Sequence, residues 1–78
     1  MTDIKADIEI DTRGLQCPRP LLKAKQTLES MQSGQVLKVT ASDSTTKSTF
    51  PAYVNRSGDE LLKIDDSGED IYIYIRKK

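Results

Sequence analysis

Few residues in this chain could do chemistry, and one stands apart. Cys17 is the only cysteine among 78 residues. It lies in the stretch Gly14-Leu15-Gln16-Cys17-Pro18-Arg19-Pro20, and an apolar-periodic segment follows at once. A thiol reacts as its thiolate. At an unperturbed pKa of about 8.5 it is mostly protonated near neutral pH, so its surroundings decide its reactivity. Proline is tolerated in the first turn of a helix, where the leading N–H groups have no intrahelical partner. The pattern therefore predicts Cys17 as a helix N-cap, Pro18 as the first helical residue and Pro20 still inside the first turn. A sulfur there meets the positive end of the helix dipole, and Arg19 and Lys23 favour the anion further. Pro18 and Pro20 donate no N–H, which leaves donors chiefly at Arg19 and Leu21. The loop thus reads as a rigid presenter of one sulfur more than as an anion hole. The competing reading of a free cysteine is a small buried hydrophobe.

The absences narrow the chemistry. The chain has no histidine, so Cys-His dyads, Ser-His-Asp triads and histidine metal sites are excluded within it. One cysteine makes no intramolecular disulfide. It also leaves no second thiol to discharge a sulfur carried on the first. No metal site and no cofactor is expected. Twelve basic residues balance 12 acidic ones, so there is no global signature for a polyanion partner. The balance hides a local asymmetry. Arg13, Arg19, Lys23 and Lys25 crowd the cysteine, while Asp59, Glu60, Asp65, Asp66, Glu69 and Asp70 crowd the last third. The basic group is either a solvated helix face or a docking patch for acidic partners. No apolar run is long enough to span a membrane and no signal peptide is visible, so the expected compartment is the cytoplasm.

The elements that must position Cys17 follow from periodicity. Ile4, Ala6, Ile8 and Ile10 alternate with polar residues, as in a strand with one buried face. Thr12, Arg13 and Gly14 break it, and Leu15 is expected to lie under the cysteine loop. A helix is predicted from about Pro18 to Gln32, with Leu21, Ala24, Leu28 and Met31 as its core stripe. Leu22 falls about 100° from Leu21 on the wheel, apolar yet off that stripe, which suits a partner contact. Gly34 is predicted to cap the helix C-terminus. Val36 to Ala41 reads as a second strand. A second helix is predicted over about Thr46 to Arg56, with Phe50, Tyr53 and Val54 on its apolar side and Pro51 weakening its start. Asp43 reads either as its N-cap or as part of a loop beside Cys17 that shapes the thiol site. Leu61 to Asp65 is a third strand with Leu62 and Ile64 facing one way. Asp66-Ser67-Gly68 is a hairpin turn, and Ile71 to Arg76 a fourth strand. Lys77 and Lys78 read as a frayed tail. The order β-α-β-α-β-β, with one apolar face per element, predicts an α+β two-layer sandwich. It would be a single domain over residues 1–78, with a four-stranded mixed sheet covered on one face by two helices.

The motif Asp11-x-x-Gly14-Leu15-x-Cys17-Pro18-x-Pro20 resembles the signature of the TusA/SirA-like sulfur carrier proteins, small domains built around Cys-Pro-x-Pro. The resemblance continues through Ser33-Gly34-Gln35-Val36-Leu37-Lys38-Val39, through Asp43-x-x-Thr46 with Phe50-Pro51-Ala52, and through Gly58-Asp59-Glu60-Leu61. It departs at Ser44, where many members carry proline, and at Thr49, where many carry an acidic residue. The resemblance implies that Cys17 accepts a sulfane sulfur as a persulfide from a cysteine desulfurase or rhodanese-like donor. It implies passage of that sulfur to an acceptor protein, as in tRNA thiolation or sulfur metabolism. Such a protein performs sulfurtransferase-type half-reactions and is not a stand-alone enzyme. Gly14, Pro18, Pro20 and Asp43 would position the site, and Arg13, Arg19, Leu22 and Lys23 would meet partners. The free protein is expected to be monomeric.

Two rival readings come from other classes. Tyr72 and Tyr74 alternate on the last strand near Lys38, Lys63 and Arg76, a combination that can stack single-stranded bases. Neutral net charge and the acidic last third weigh against direct nucleic-acid binding, and cross-strand pairing explains the tyrosines as well. The other rival is a regulatory domain that uses Cys17 as a redox switch.

Overall fold

A computed structural model describes residues 5–16, 18–66 and 68–78. The expectations placed on Ile4, Cys17 and Ser67 lie outside the described residues. The elements run β1 (Ile8–Asp11), α1 (Arg19–Ser30), β2 (Val36–Ala41), α2 (Thr46–Ser57), β3 (Glu60–Asp65) and β4 (Ile71–Arg76). The sheet order is β1-β2-β4-β3, with β1 parallel to β2 and the other two pairs antiparallel. This is the predicted α+β sandwich with a mixed four-stranded sheet.

Alternation builds the sheet. Leu37, Val39 and Ala41 of β2 and Ile71, Ile73 and Ile75 of β4 are buried, and Leu37 pairs with Ile75, Val39 with Ile73 and Ala41 with Ile71. Ala24, Leu28 and Met31 from α1 and Phe50 and Val54 from α2 complete the core against that face. Leu21, predicted in the stripe, is only partly buried, and Pro20 is fully buried in its stead. Pro20 therefore anchors the start of α1 to the core as well as stiffening the loop.

Three predicted details change. Helix α1 ends at Ser30 with Met31 as its C-cap, so Gly34 is not the cap. Gly34 instead turns the chain into β2 and donates its N–H to the Lys77 carbonyl (2.8 Å). The tail is not frayed, because Lys77 donates back to the Gln35 carbonyl (2.8 Å) and Lys78 Nζ donates to the Ser57 carbonyl (2.7 Å) at the end of α2. A cation there suits the negative end of the helix dipole. In β3, a register shift between Leu61 and Lys63 interrupts the alternation. Leu61 and Ile64, and not Leu62 and Ile64, then pack on the core. A bulge adds one residue to one strand and so switches which side chains share a face.

The second helix starts loosely. The N–H groups of Thr46, Lys47 and Ser48 bond three residues back, to Asp43, Ser44 and Thr45, before Thr49 makes the first four-residue bond. Pro51, inside α2, has no N–H for the Lys47 carbonyl. The predicted weak first turn is present in this form.

Candidate functional site: the loop around position 17

The chain leaves β1 into the loop that leads to position 17, and three hydrogen bonds hold that loop, two from β2 and one from Ser42 just beyond it. Thr12 donates both its backbone N–H (2.7 Å) and its hydroxyl (2.8 Å) to the Thr40 carbonyl. Thr12 is fully buried, which an unpartnered hydroxyl would make costly. One turn on, the Gly14 N–H donates to Ser42 Oγ (2.9 Å). Gly14 has φ of +85° with open space where a Cβ would sit, so the backbone conformation alone selects glycine here. The Leu15 N–H closes the turn onto the Thr12 carbonyl (3.1 Å).

Helix α1 begins one residue later than predicted. Pro18 is its N-cap, with Arg19 and Pro20 as the first two helical residues. The reason is local: the Arg19 N–H turns back to the Gln16 carbonyl (2.9 Å), and the first regular helical bond runs from Leu22 to the Pro18 carbonyl (3.0 Å). Arg19, one of the two predicted donors, is thus already engaged. The first turn carries no capping side chain and no acidic residue. It places Arg19 where the helix dipole is already positive, so the positive field at this end goes uncompensated. An anion beside it would be stabilised by side-chain charge and dipole together.

The predicted site residues divide into three groups. Pro18, Arg19 and Lys23 are exposed, and Leu22 is 50% exposed, the one large exposed hydrophobic among the described residues. Arg13 does something else. Its guanidinium donates to both Asp11 carboxylate oxygens (3.0 and 2.8 Å) and lies 3.5 Å from Asp70. These pairs clasp the end of β1 to the β3–β4 connection, with the Arg13 side chain still half exposed. Asp43 forms the third group. It is not the N-cap of α2, which is Thr45. Asp43 Oδ1 accepts from the Thr45 N–H (2.9 Å), and its carbonyl accepts from the Thr46 hydroxyl (2.7 Å), shaping the turn before the helix. That turn faces the cysteine loop. Gly14, Leu15, Gln16, Ser42, Asp43 and Ser44 line one open hollow, and Gly14, Gln16, Pro18 and Arg19 line a second. Gly14 and Gln16 line both hollows. Ser42 was missed at the sequence level. A serine in a polar turn looks like any other until the fold sets it opposite Gly14.

The Asp11–Arg13 clasp has a pH signature. The Arg13 side chain, then its backbone N–H, hold the Asp11 carboxyl down at about 2, and Lys23 adds to the effect. A carboxyl depressed in the folded state stabilises the fold above its unfolded pKa of about 3.9. That contribution fades as pH falls from about 4 toward 2. In an NMR titration Asp11 should titrate near 2, and Asp11→Asn should remove this part of the acid sensitivity. A midpoint near 4 would show that the clasp does not form.

On the open sheet face, the Lys38 ammonium lies 4.8 Å from the Tyr72 ring centre and 5.9 Å from that of Tyr74, and 3.9 Å from Glu9. The tyrosines are half-buried and have a cation partner within the chain. No group of metal-ligating residues and no helix long and apolar enough to cross a membrane occurs among the described residues.

The loop geometry, the lone thiol and the two-helix sandwich converge on one set of known proteins. The family described as Sulfurtransferase TusA matches residues 8–77. The chain belongs to the TusA family. It is 42% identical over 71 residues to the sulfur carrier protein TusA of Allochromatium vinosum, covering 91% of this chain and 93% of that one. It is 36% identical over 78 residues to sulfur carrier protein TusA of Pseudomonas putida strain GB-1, covering 100% and 98%. Putative sulfur carrier protein YrkI of Bacillus subtilis is 34% identical over 74 residues, covering 95% and 99%. The crystal structure of a SirA-like protein from Desulfitobacterium hafniense superposes with a TM-score of 0.76 at 24% identity, over 88% of this chain and 95% of that one, and shows the same fold. These TusA relatives support a sulfur-carrier role.

Proposed function

We propose that this protein is a sulfur relay whose Cys17 takes a sulfane sulfur from a donor protein's persulfide and hands it to an acceptor protein. The observation that carries the reading is a lone cysteine within Cys-Pro-x-Pro, in a chain matched along its length by named sulfur carrier proteins. In loading, the Cys17 thiolate attacks the outer sulfur of the donor persulfide. The donor S–S bond breaks, an S–S bond forms at Cys17, and the donor leaves as a thiolate, with no net oxidation. Delivery repeats the step with Cys17 as the leaving thiolate. Both steps need an anionic sulfur, and the uncompensated positive start of α1 supports one. With no second thiol in the chain, the persulfide waits for a partner. A thiol kept free for exchange suits a reducing compartment, which supports a cytoplasmic location.

Donors of the desulfurase or rhodanese type fit this chemistry, and relay proteins of tRNA thiolation or sulfur metabolism fit as acceptors. Arg19, Leu22 and Lys23 form the docking surface in this reading: an exposed apolar side chain on α1 flanked by cations. Arg13, Gly14, Pro18, Pro20 and Asp43 hold the loop. Incubation with a cysteine desulfurase and cysteine should add one sulfur atom to the intact mass of the chain. No added sulfur with either donor type would end the proposal. The double reversal Arg19→Glu/Lys23→Glu should slow loading by about tenfold at low salt, and the deficit should shrink as salt rises. A deficit independent of salt would remove these cations from the docking surface.

A further inference from the structure

We infer that Ser42 is a positioning residue for the Cys17 loop, acting through its hydroxyl as a surrogate rung of the sheet. The parallel ladder of β1 and β2 runs out at Asp11 opposite Thr40, with Thr12 N–H making the next bond to the Thr40 carbonyl. Beyond that point the backbones diverge. The next amide to point toward β2, that of Gly14, is received by Ser42 Oγ at 2.9 Å and not by a carbonyl. The φ of +85° at Gly14 then turns the following chain away from that bond. The bond thus joins two loops that the sheet itself no longer pairs. One loop leads to Cys17. The other carries Asp43 and opens α2 through the Thr45 and Thr46 bonds. Both loops line the same hollow.

The Gly14 amide and Ser42 are both exposed, so water competes for this bond and it contributes little to global stability. Its effect is geometric: it fixes the chain leaving β1 against the turn after β2, three residues before Cys17 in the sequence. Threonine keeps the hydroxyl and alanine deletes it, so the two substitutions separate the bond from the position.

The functional half of this inference rests on the relay reading; the structural half does not, and the experiment keeps them apart. Full-length wild type, Ser42→Ala and Ser42→Thr are compared by Gly14 amide exchange (NMR), by the pH profile of Cys17 alkylation with iodoacetamide, and by desulfurase loading. In Ser42→Ala, Gly14 exchange should rise about fivefold, the equilibrium worth of one ordinary hydrogen bond. The midpoint of the alkylation profile should move, and the loading kcat should fall by a similar factor with KM little changed. Ser42→Thr should restore all three. Unchanged Gly14 exchange in Ser42→Ala, or failure of threonine to rescue it, overturns the tether. Faster exchange with an unmoved alkylation profile shows a tether that does not position the thiol, which also overturns the inference. If wild type itself takes no sulfur, the relay reading fails, while exchange and alkylation still decide the role of Ser42.

Discussion

Cys17→Ser should take up no sulfur from a cysteine desulfurase and cysteine, where the wild-type chain should gain one sulfur atom by intact mass. The loss should be complete, because a serine hydroxyl stays protonated at neutral pH and forms no persulfide. No other residue can substitute, since the chain holds no second cysteine and no histidine. The cooperative unfolding transition should survive, because the core is assembled from α1, α2 and the sheet. Residual sulfur on Cys17→Ser would move the site off the Cys-Pro-x-Pro motif.

The second large effect concerns the scaffold. Phe50 is fully exposure-free and heads the largest buried side chains. Truncating a buried phenylalanine removes about 3–5 kcal/mol, through lost transfer energy and the cavity left behind. A domain of this size has a total of about 4–12 kcal/mol to lose. Urea denaturation of Phe50→Ala should therefore show at least about a quarter of the stability gone, with an unchanged m value if unfolding stays two-state. A loss below about 1 kcal/mol would show that the side chain is not the keystone it appears in the fold. The consequence reaches the site. Phe50 seats α2, α2 carries the Ser42–Ser44 turn, and Ser42 holds Gly14.

What could be read in advance was whatever depends on local periodicity. Val36–Ala41 and Ile71–Arg76 stand as predicted because strict alternation survives in central strands. The exposure of Leu22 followed from its angle on the helix wheel. What escaped depends on contacts between segments far apart in the chain. The β3 bulge is a mismatch with β4, so nothing in Leu61-Leu62-Lys63-Ile64 alone reveals which leucine turns inward. Pro20 reads as a loop stiffener from its position in the motif, and its full burial shows only in the fold. Arg13 looked like a free cation near the thiol, but β4 brings Asp70 to it. The later start of α1 and the displacement of Asp43 from the cap both reflect three-residue turns that precede the regular helices.

The irregular β3 has a meaning for life in a crowded solution. The sheet has two borders, β1 and β3. A straight border strand bearing Leu61-Leu62-Lys63-Ile64 would be a template for edge-to-edge association. The bulge twists that border and spoils the regular row of donors and acceptors a stray strand would need. Association through this border is thereby discouraged by geometry, in a chain whose net charge of zero offers no general repulsion between copies.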